Sequence, residues 1–212
     1  MGNTIGILGG TFDPVHNGHL RLALEIQQQL DLSGVRLIPL NIPPHRDPPA
    51  AGSEHRLKML VNACNGVNGL IVDDREINRE QTSWTIDTVM SLREEFPDHS
   101  LCLIMGEDAF AGLDSWRSWN KLTDYVHLVV ASRISTGITA YPDTVKKLLE
   151  ERETDDPATI KRELNGYIIR VPIPMLEISS SRIRELLASN QAVDFLLPQP
   201  VLDYILEQQL YR

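Results

Sequence analysis

Short apolar runs alternate along the chain with longer stretches in which apolar residues recur every three or four positions. Short runs rich in aliphatic and β-branched residues are typical of buried strands, and they are bounded here by polar or glycine-containing segments. The predicted strands are Thr4–Leu8, Val35–Leu40, Leu70–Asp73, Leu101–Met105, Val126–Ala131 and Tyr167–Val171.

The stretches between these runs carry the periodicity of amphipathic helices, with apolar residues on one stripe of each helix. A serine that could cap the helix N-terminus precedes each of the two clearest stripes. The stripes are Leu57, Leu60, Val61 and Cys64 after Ser53, and Ile86, Val89 and Met90 after Ser83.

Strands that alternate with helices pair in parallel through right-handed crossovers, which place helices on both faces of the sheet. We therefore predict an α/β fold with a Rossmann-like, doubly wound parallel sheet. In such folds ligands bind beyond the carboxyl ends of the strands.

The chain length of 212 residues predicts a single domain over residues 1–212. Residues 132–166 are polar and charged, which predicts a surface excursion. Residues 179–212 are expected to form a C-terminal helical part. Its last helix should dock through Val201, Tyr204, Ile205 and Leu206.

Charge and composition narrow the class of protein. The net charge is −9, from 20 Lys and Arg against 29 Asp and Glu, which argues against a protein that coats nucleic acid. No apolar run has the length needed to cross a bilayer, and the N-terminus lacks a secretory signal, so we expect a cytoplasmic location. Cys64 and Cys102 lack Cys-x-x-Cys spacing and are predicted to be buried, reduced thiols.

The segment from Gly9 to Leu20 places two glycines before two histidines, His16 and His19, at the start of a predicted helix. It lacks the spacing of a dinucleotide fingerprint, the lysine of a P-loop and a third nearby zinc ligand. A turn with incidental histidines is one interpretation. We favour a phosphate site, because glycines allow close backbone approach, a helix N-terminus attracts anions, and imidazoles can hold and neutralise phosphate oxygens.

A second polar cluster, Ser179 to Ser181, lies at the N-cap and first turn of another predicted helix, with Arg182 and Arg184 alongside. An ordinary capped helix with exposed arginines would explain this pattern. Hydroxyls and arginines at a helix N-terminus also suit a polyphosphate. The segment alone leaves both interpretations open.

Gly10 to His19 resembles the G-x-F-D-P-x-H-x-G-H signature of the nucleotidylyltransferase superfamily. Ile178 to Arg184 resembles the Ile-Ser-Ser/Thr-x-x-Ile-Arg segment that binds the ATP phosphates in that superfamily. Class I aminoacyl-tRNA synthetases share the His-x-Gly-His core, but this chain is short and acidic and lacks an evident Lys-Met-Ser-Lys-Ser segment. The resemblance therefore implies nucleotidyl transfer.

Further segments resemble the bacterial nicotinate mononucleotide adenylyltransferases, in order and over essentially the whole chain. Two departures concern the acceptor and not the reaction: Trp84 replaces the usual Tyr, and Leu40 stands where many relatives have Asn. The matching segments are Asn41 to Arg46 (N-x-P-P-H-K/R), Thr82 to Thr85 (S-Y-T), Met105 to Asp108 (I-G-x-D), Ser115-Trp116 (T-W) and Leu210 to Arg212.

The resemblance implies that nicotinate mononucleotide attacks the α-phosphorus of ATP to give deamido-NAD and pyrophosphate. It implies Mg²⁺ carried on the ATP phosphates, no dedicated metal site, and no nucleic-acid or membrane partner; a homo-oligomer is compatible with it. Trp116 is the candidate for stacking on the pyridine ring, and Thr85 lies near its carboxylate, which predicts preference for the acid over nicotinamide mononucleotide. Alternatives are another phosphorylated acceptor, such as phosphopantetheine or nicotinamide mononucleotide, or a non-catalytic nucleotide sensor.

The resemblance also assigns residues to three groups. His16 and His19 are the catalytic candidates. The ATP-binding candidates are Gly9, Gly10, Thr11, Phe12, His16, Gly18, His19, Gly106, Asp108, Ile178, Ser179, Ser180, Ser181 and Arg184, and the acceptor-binding candidates are Asn41, His45, Arg46, Trp84, Thr85, Trp116 and Arg133.

Overall fold

A parallel sheet of six strands organises the molecule, in the order β3-β2-β1-β4-β5-β6. The computed structural model describes residues 3–41, 48–79, 82–133, 141–174 and 176–212. All six predicted strands are confirmed, with ends that move by one or two residues. The strands are β1 (Thr4–Gly10), β2 (Gly34–Pro39), β3 (Leu70–Val72), β4 (Ser100–Gly106), β5 (His127–Arg133) and β6 (Ile168–Ile173).

The strand order makes β1 a central strand with β2 on one side and β4 on the other. The chain builds one half of the sheet outward to β3, then crosses back to begin the other half beside β1, which is the topology of a doubly wound fold. The connecting and terminal helices are α1 (Asn17–Gln29), α2 (Ser53–Cys64), α3 (Thr85–Glu95), α4 (Glu107–Ala111), α5 (Asp143–Arg152), α6 (Thr159–Arg162), α7 (Ser180–Ala188) and α8 (Gln199–Glu207), with 3-10 turns at Leu113–Ser115 and Trp119–Asp124.

Two hydrophobic cores lie on opposite faces of the sheet. Successive residues of β4 alternate between them: Leu101 and Leu103 belong to one core, Cys102 and Ile104 to the other. Buried residues of α1, α2, α7 and α8 join the core of Cys102, and those of α3, α4 and α5 join the core of Leu101. The predicted Rossmann-like sheet with helices on both faces is confirmed.

The buried face of α2 differs from the predicted stripe. Val61 is 43% exposed, whereas Met59 and Arg56 are buried. The spacing of apolar residues did not predict the buried face correctly, because one buried position is Arg56. Its guanidinium donates to backbone carbonyls. In α3 a similar shift exposes Met90 and buries Thr88, whose hydroxyl donates to the carboxylate of a buried glutamate.

Residues 132–166 lie only partly on the surface. The segment includes the end of β5 together with α5 and α6, and it contributes Tyr141, Val145 and Ile160 to the buried interior. Each of its helices buries so few residues that the polar composition of the rest dominates the sequence pattern. The predicted surface excursion therefore does not describe these three buried positions. A single domain over the whole chain stays a prediction.

The C-terminal residues form α7 and α8, as expected. Val201 and Ile205 are buried as predicted, but Leu206 is 49% exposed. Cys64 and Cys102 are buried and unpaired, and burial raises their thiol pKa to about 11 and about 12. Among the described residues, no helix is both long enough and apolar enough to cross a membrane.

Candidate active site

The candidate site lies beyond the carboxyl ends of β1 and β4. At these adjacent strands the order in which the chain adds strands to the sheet reverses. Gly9 is near the end of β1 and Gly106 ends β4. A Cβ atom added at either glycine would meet none of the described atoms within 4 Å. Both backbone segments therefore border open space, at the place where doubly wound folds bind ligands.

His16 and His19 stack on each other at the N-terminus of α1. Their ring centroids are 3.7 Å apart with an interplanar angle of 22°. His16 is the N-cap residue, and its backbone N–H donates to Nδ1 of His19 at 3.3 Å. Because Nδ1 of a neutral His19 accepts this bond, its proton is placed on Nε2. His19 thus presents an N–H donor on the other side of its ring.

Both imidazoles are uncharged near neutral pH. Burial lowers the pKa of His16 to about 4, and burial together with the neighbouring His16 lowers the pKa of His19 to about 3. Nδ1 of His16 is buried without a hydrogen-bond partner among the described residues. Without a ligand, the pair therefore offers hydrogen-bond donors to an anion and not the positive charge that the neutralisation hypothesis invoked.

Packing inside the loop holds the histidine rings in place. Phe12, which was predicted to bind ATP, is only 1% exposed. Its ring packs edge-on against that of His19, with the ring centroids 5.0 Å apart. A Cβ at Gly10 would approach the Phe12 ring to 3.0 Å, and one at Gly18 would approach Nδ1 of His16 to 3.0 Å. A side chain at either position would therefore force the neighbouring ring to shift.

The two motifs from opposite ends of the sequence meet at this loop. The hydroxyl of Ser180 donates to the backbone carbonyl of Pro14 at 2.9 Å, and Nη1 of Arg184 donates to the carbonyl of Asp13 at 2.6 Å. The N-terminus of α7 is thereby fixed against the loop that carries the histidines. The positive ends of α1 and α7 share one region of the molecule.

Of the other residues at the start of α7, one caps the helix and others are exposed to solvent. Ser179 is the N-cap, and its hydroxyl accepts from the backbone N–H of Arg182 at 3.2 Å. The Arg182 side chain turns to Glu185 in an exposed ion pair at 3.2 Å. Ser181 is exposed, and the carbonyl of Ile178 faces Gly18 of the loop.

The acceptor candidates that the structure describes follow the carboxyl ends of strands of the same sheet. Trp84 is the N-cap of α3 and faces the guanidinium of Arg117 at 5.3 Å from its ring centroid, and Thr85 begins that helix. Trp84 and Trp116 both pack partly against the core of α3 and α4. The side-chain amide of Asn41 donates to a backbone carbonyl, that of Arg79, at 3.0 Å.

Asp108 and Arg133 lie at the carboxyl ends of neighbouring strands. Asp108 is exposed in the first turn of α4, the helix that follows Gly106 at the end of β4. Arg133 is the last residue of β5. The other two acceptor candidates, His45 and Arg46, lie outside the described residues.

Comparison with known proteins decides the family. Residues 7–186 match the Cytidylyltransferase-like family. The protein named "Probable nicotinate-nucleotide adenylyltransferase" of Aeromonas salmonicida is 46% identical over 208 residues, which are 98% of this chain and 97% of that protein. The protein of the same name in Pseudomonas fluorescens is 44% identical over 213 residues, covering 100% of this chain and 99% of that protein. The chain belongs to the nicotinate-nucleotide adenylyltransferase family.

Solved structures share the fold of this family member. The Plasmodium falciparum nicotinic acid mononucleotide adenylyltransferase complexed with NaAD has a TM-score of 0.75 at 19% identity, with 99% of this chain and 97% of that chain covered. The same enzyme complexed with APC gives a TM-score of 0.73. The likeness therefore extends over the complete sheet and its helices.

Three residues of this adenylyltransferase-family site were not assigned a role from the sequence. Asp13 lies inside the first motif and Tyr211 inside the last matching segment, and the Tyr211 hydroxyl donates to Oδ1 of Asp13 at 2.6 Å. Arg56 belongs to none of the motifs, yet it is 1% exposed and its Nη1 donates to the carbonyl of Thr11. The sequence pattern that could have indicated Arg56 is a charged residue four positions before Leu60, on the apolar stripe of α2.

The lowered pKa values predict that this family member loses stability in acid. Each unfolded histidine takes up a proton near pH 6.5, whereas folded His16 and His19 do so near pH 4 and pH 3. The unfolded chain binds more protons between these limits. The free energy of unfolding should therefore fall below about pH 6.5, by about 1.4 kcal/mol per pH unit for each histidine, and should not respond to them above it.

Denaturant unfolding at several pH values measures this effect, with His16→Asn as the comparison. The variant should show a shallower loss of stability between pH 6.5 and pH 4 than the unsubstituted chain. Equal slopes for the two proteins would contradict the assignment of a neutral, buried His16.

Proposed function

We propose that the chain transfers the adenylyl group of ATP to the phosphate of nicotinate mononucleotide, a step of NAD biosynthesis. An oxygen of the acceptor phosphate attacks the α-phosphorus of ATP. The bond from that phosphorus to the bridging oxygen of the β-phosphate breaks, and pyrophosphate leaves with the electron pair. The products are deamido-NAD and pyrophosphate, and the substrate itself supplies the nucleophile.

The observation that supports this function best is a contact between two segments. The loop of residues 11–16 between β1 and α1, called the histidine loop below, contacts the N-terminus of α7. A polyphosphate needs donors from more than one side, and two helix N-termini with imidazole and hydroxyl groups supply them. Catalysis of this transfer depends on alignment and on stabilisation of charge at the transferring group. Relatives that are 46% identical over nearly the whole chain carry the corresponding name.

In this proposal each group has a distinct task. Nε2–H of His19 donates to phosphate oxygen, and His16 orients that ring through its backbone N–H. The phosphate charge would raise the pKa of both imidazoles, so they can gain protons when ATP binds. Gly9 and Gly106 leave room for the nucleotide. Trp116 or Trp84 would stack on the pyridine ring.

Mg²⁺ would accompany ATP in this scheme. In this proposal phosphate oxygens and water hold the cation. Among the described residues there is no group of three His, Cys, Asp or Glu side chains placed to hold a metal ion. When bound, it would reduce the negative charge of the phosphates. We also propose a cytoplasmic location without a nucleic-acid or membrane partner.

Pyrophosphate release from ATP, measured in parallel with three acceptors, tests the function. Nicotinate mononucleotide should support far faster release than nicotinamide mononucleotide or phosphopantetheine, because fixed donors around a carboxylate would oppose the NH₂ of the amide. Comparable rates with the acid and the amide would contradict this selectivity. Release with phosphopantetheine alone would change the acceptor, and binding of ATP without release in any mixture would indicate a sensor.

A further inference from the structure

Arg56 on α2 joins three segments of backbone from inside the protein. Its Nε donates to the carbonyl of Ala51 at 3.1 Å, Nη1 to that of Thr11 at 2.8 Å, and Nη2 to that of Asn41 at 3.0 Å. These carbonyls belong to the turn before α2, the loop after β1 and the chain just beyond β2. Because a guanidinium is planar and rigid, its donors hold the three carbonyls at fixed separations.

Asp13 completes the arrangement from the other side. Its carboxylate accepts from the backbone N–H groups of Ala50 at 2.7 Å and Ala51 at 3.1 Å, and from the hydroxyl of Tyr211. Ala51 is therefore held through its carbonyl by Arg56 and through its N–H by Asp13. The negative charge of Asp13 also opposes the cost of burying the guanidinium, which by itself lowers the pKa of Arg56.

The segments that Arg56 joins are those that should carry the two substrates. Thr11 follows the glycines of the loop that leads to His16 and His19, and Asn41 begins the segment predicted to bind the acceptor. The backbone N–H of Leu40 donates to the carbonyl of Gly10 at 3.0 Å, but this bond joins the strand ends and not the loops beyond them. Past the strands, the guanidinium ties the carbonyl that follows β1 to the carbonyl that follows β2.

We propose that Arg56 is a positioning residue that sets the separation between the loop that carries ATP and the segment that carries the acceptor. The inference rests on the proposed adenylyl transfer. In-line attack requires the acceptor phosphate to lie against the α-phosphorus, and a displacement of about 1 Å can lower the rate about 10²-fold. Binding of either substrate alone does not depend on that separation.

The test uses Arg56→Lys, which keeps a positive charge but cannot reach three carbonyls with one nitrogen atom. Turnover should fall about 10²-fold, while the separate affinities for a non-hydrolysable ATP analogue and for nicotinate mononucleotide stay unchanged. Turnover is measured by pyrophosphate release, and the two affinities by calorimetry on the same preparations.

Arg93→Lys is the matched control. The guanidinium of Arg93 also donates to backbone carbonyls, those of Tyr125, His99 and Leu164. These residues precede β5, β4 and β6, so this cluster lies at the end of the sheet opposite the site. Arg93→Lys should lower the melting temperature without changing turnover.

The outcomes separate this inference from the function on which it rests. Unchanged turnover in Arg56→Lys, or loss of both binary affinities together with turnover, would overturn the positioning role. If Arg56→Lys does not fold, Tyr211→Phe replaces it, since it loosens Asp13 beside Arg56; a lower melting temperature with full turnover would then overturn the role. An unsubstituted chain that releases no pyrophosphate with any acceptor would instead refute the proposed function.

Discussion

Replacement of His19 by Ala is expected to lower turnover by about 10² to 10³-fold and to leave the fold intact. Its Nδ1 is occupied by the backbone N–H of His16, so Nε2–H remains as the donor for a phosphate oxygen. If that bond strengthens as charge moves to the leaving pyrophosphate, kcat and kcat/KM should fall together. The half-buried ring packs against Phe12 and His16, and its loss should cost only part of the stability.

Pyrophosphate release under saturating substrates measures the effect, and circular dichroism with thermal unfolding checks the fold. His55→Ala is a suitable control, because His55 lies on α2 and contacts the Tyr204 hydroxyl at 2.9 Å, away from the histidine loop. The control should retain full turnover. A folded His19→Ala variant with an unchanged rate would show that the imidazole has no part in the chemistry.

Asp13→Ala should destabilise the fold strongly, with a loss of about 3–5 kcal/mol in the free energy of unfolding. The change leaves the N–H groups of Ala50 and Ala51 and the Tyr211 hydroxyl without their acceptor. It also removes the negative charge near buried Arg56, and the Asp13 residue itself is only 4% exposed.

Denaturant unfolding of Asp13→Ala and Asp31→Ala provides the comparison. Asp31 also forms an ion pair, with Lys161 at 2.7 Å, but its side chain is 89% exposed. Exposed ion pairs contribute little, and alanine at the positive φ of Asp31, 50°, costs about 1 kcal/mol. Asp31→Ala should therefore lose far less stability than Asp13→Ala. Equal stability losses in the two variants would mean that the contacts of Asp13 do not hold the loop.

The sheet and the place of the site could be predicted because both follow from local pattern and topology. Each strand is a short apolar run, since a parallel strand covered on both faces has no polar side. The loops after β1 and β4 must then meet beyond neighbouring strand ends, which brings the Gly9–His19 segment and Gly106 together.

Two features of the site could not be predicted from the residue pattern. Arg56 occupies a helical position that the pattern assigns to apolar residues, and its burial depends on carbonyls from three segments that meet only in the folded chain. The uncharged state of His16 and His19 depends on how deeply the loop packs, because isolated histidines would titrate near pH 6.5.

The bond between Asp13 and Tyr211 spans 198 residues of sequence, which has a consequence for synthesis. At a translation rate of about 5–20 residues per second, the ribosome adds Tyr211 roughly 10–40 s after Asp13. The contacts from Ser180 and Arg184 to the same loop are also made late. The histidine loop is therefore among the first parts of the chain to be translated and the last to acquire its final hydrogen bonds, so a nascent chain holds its catalytic candidates before it can position them.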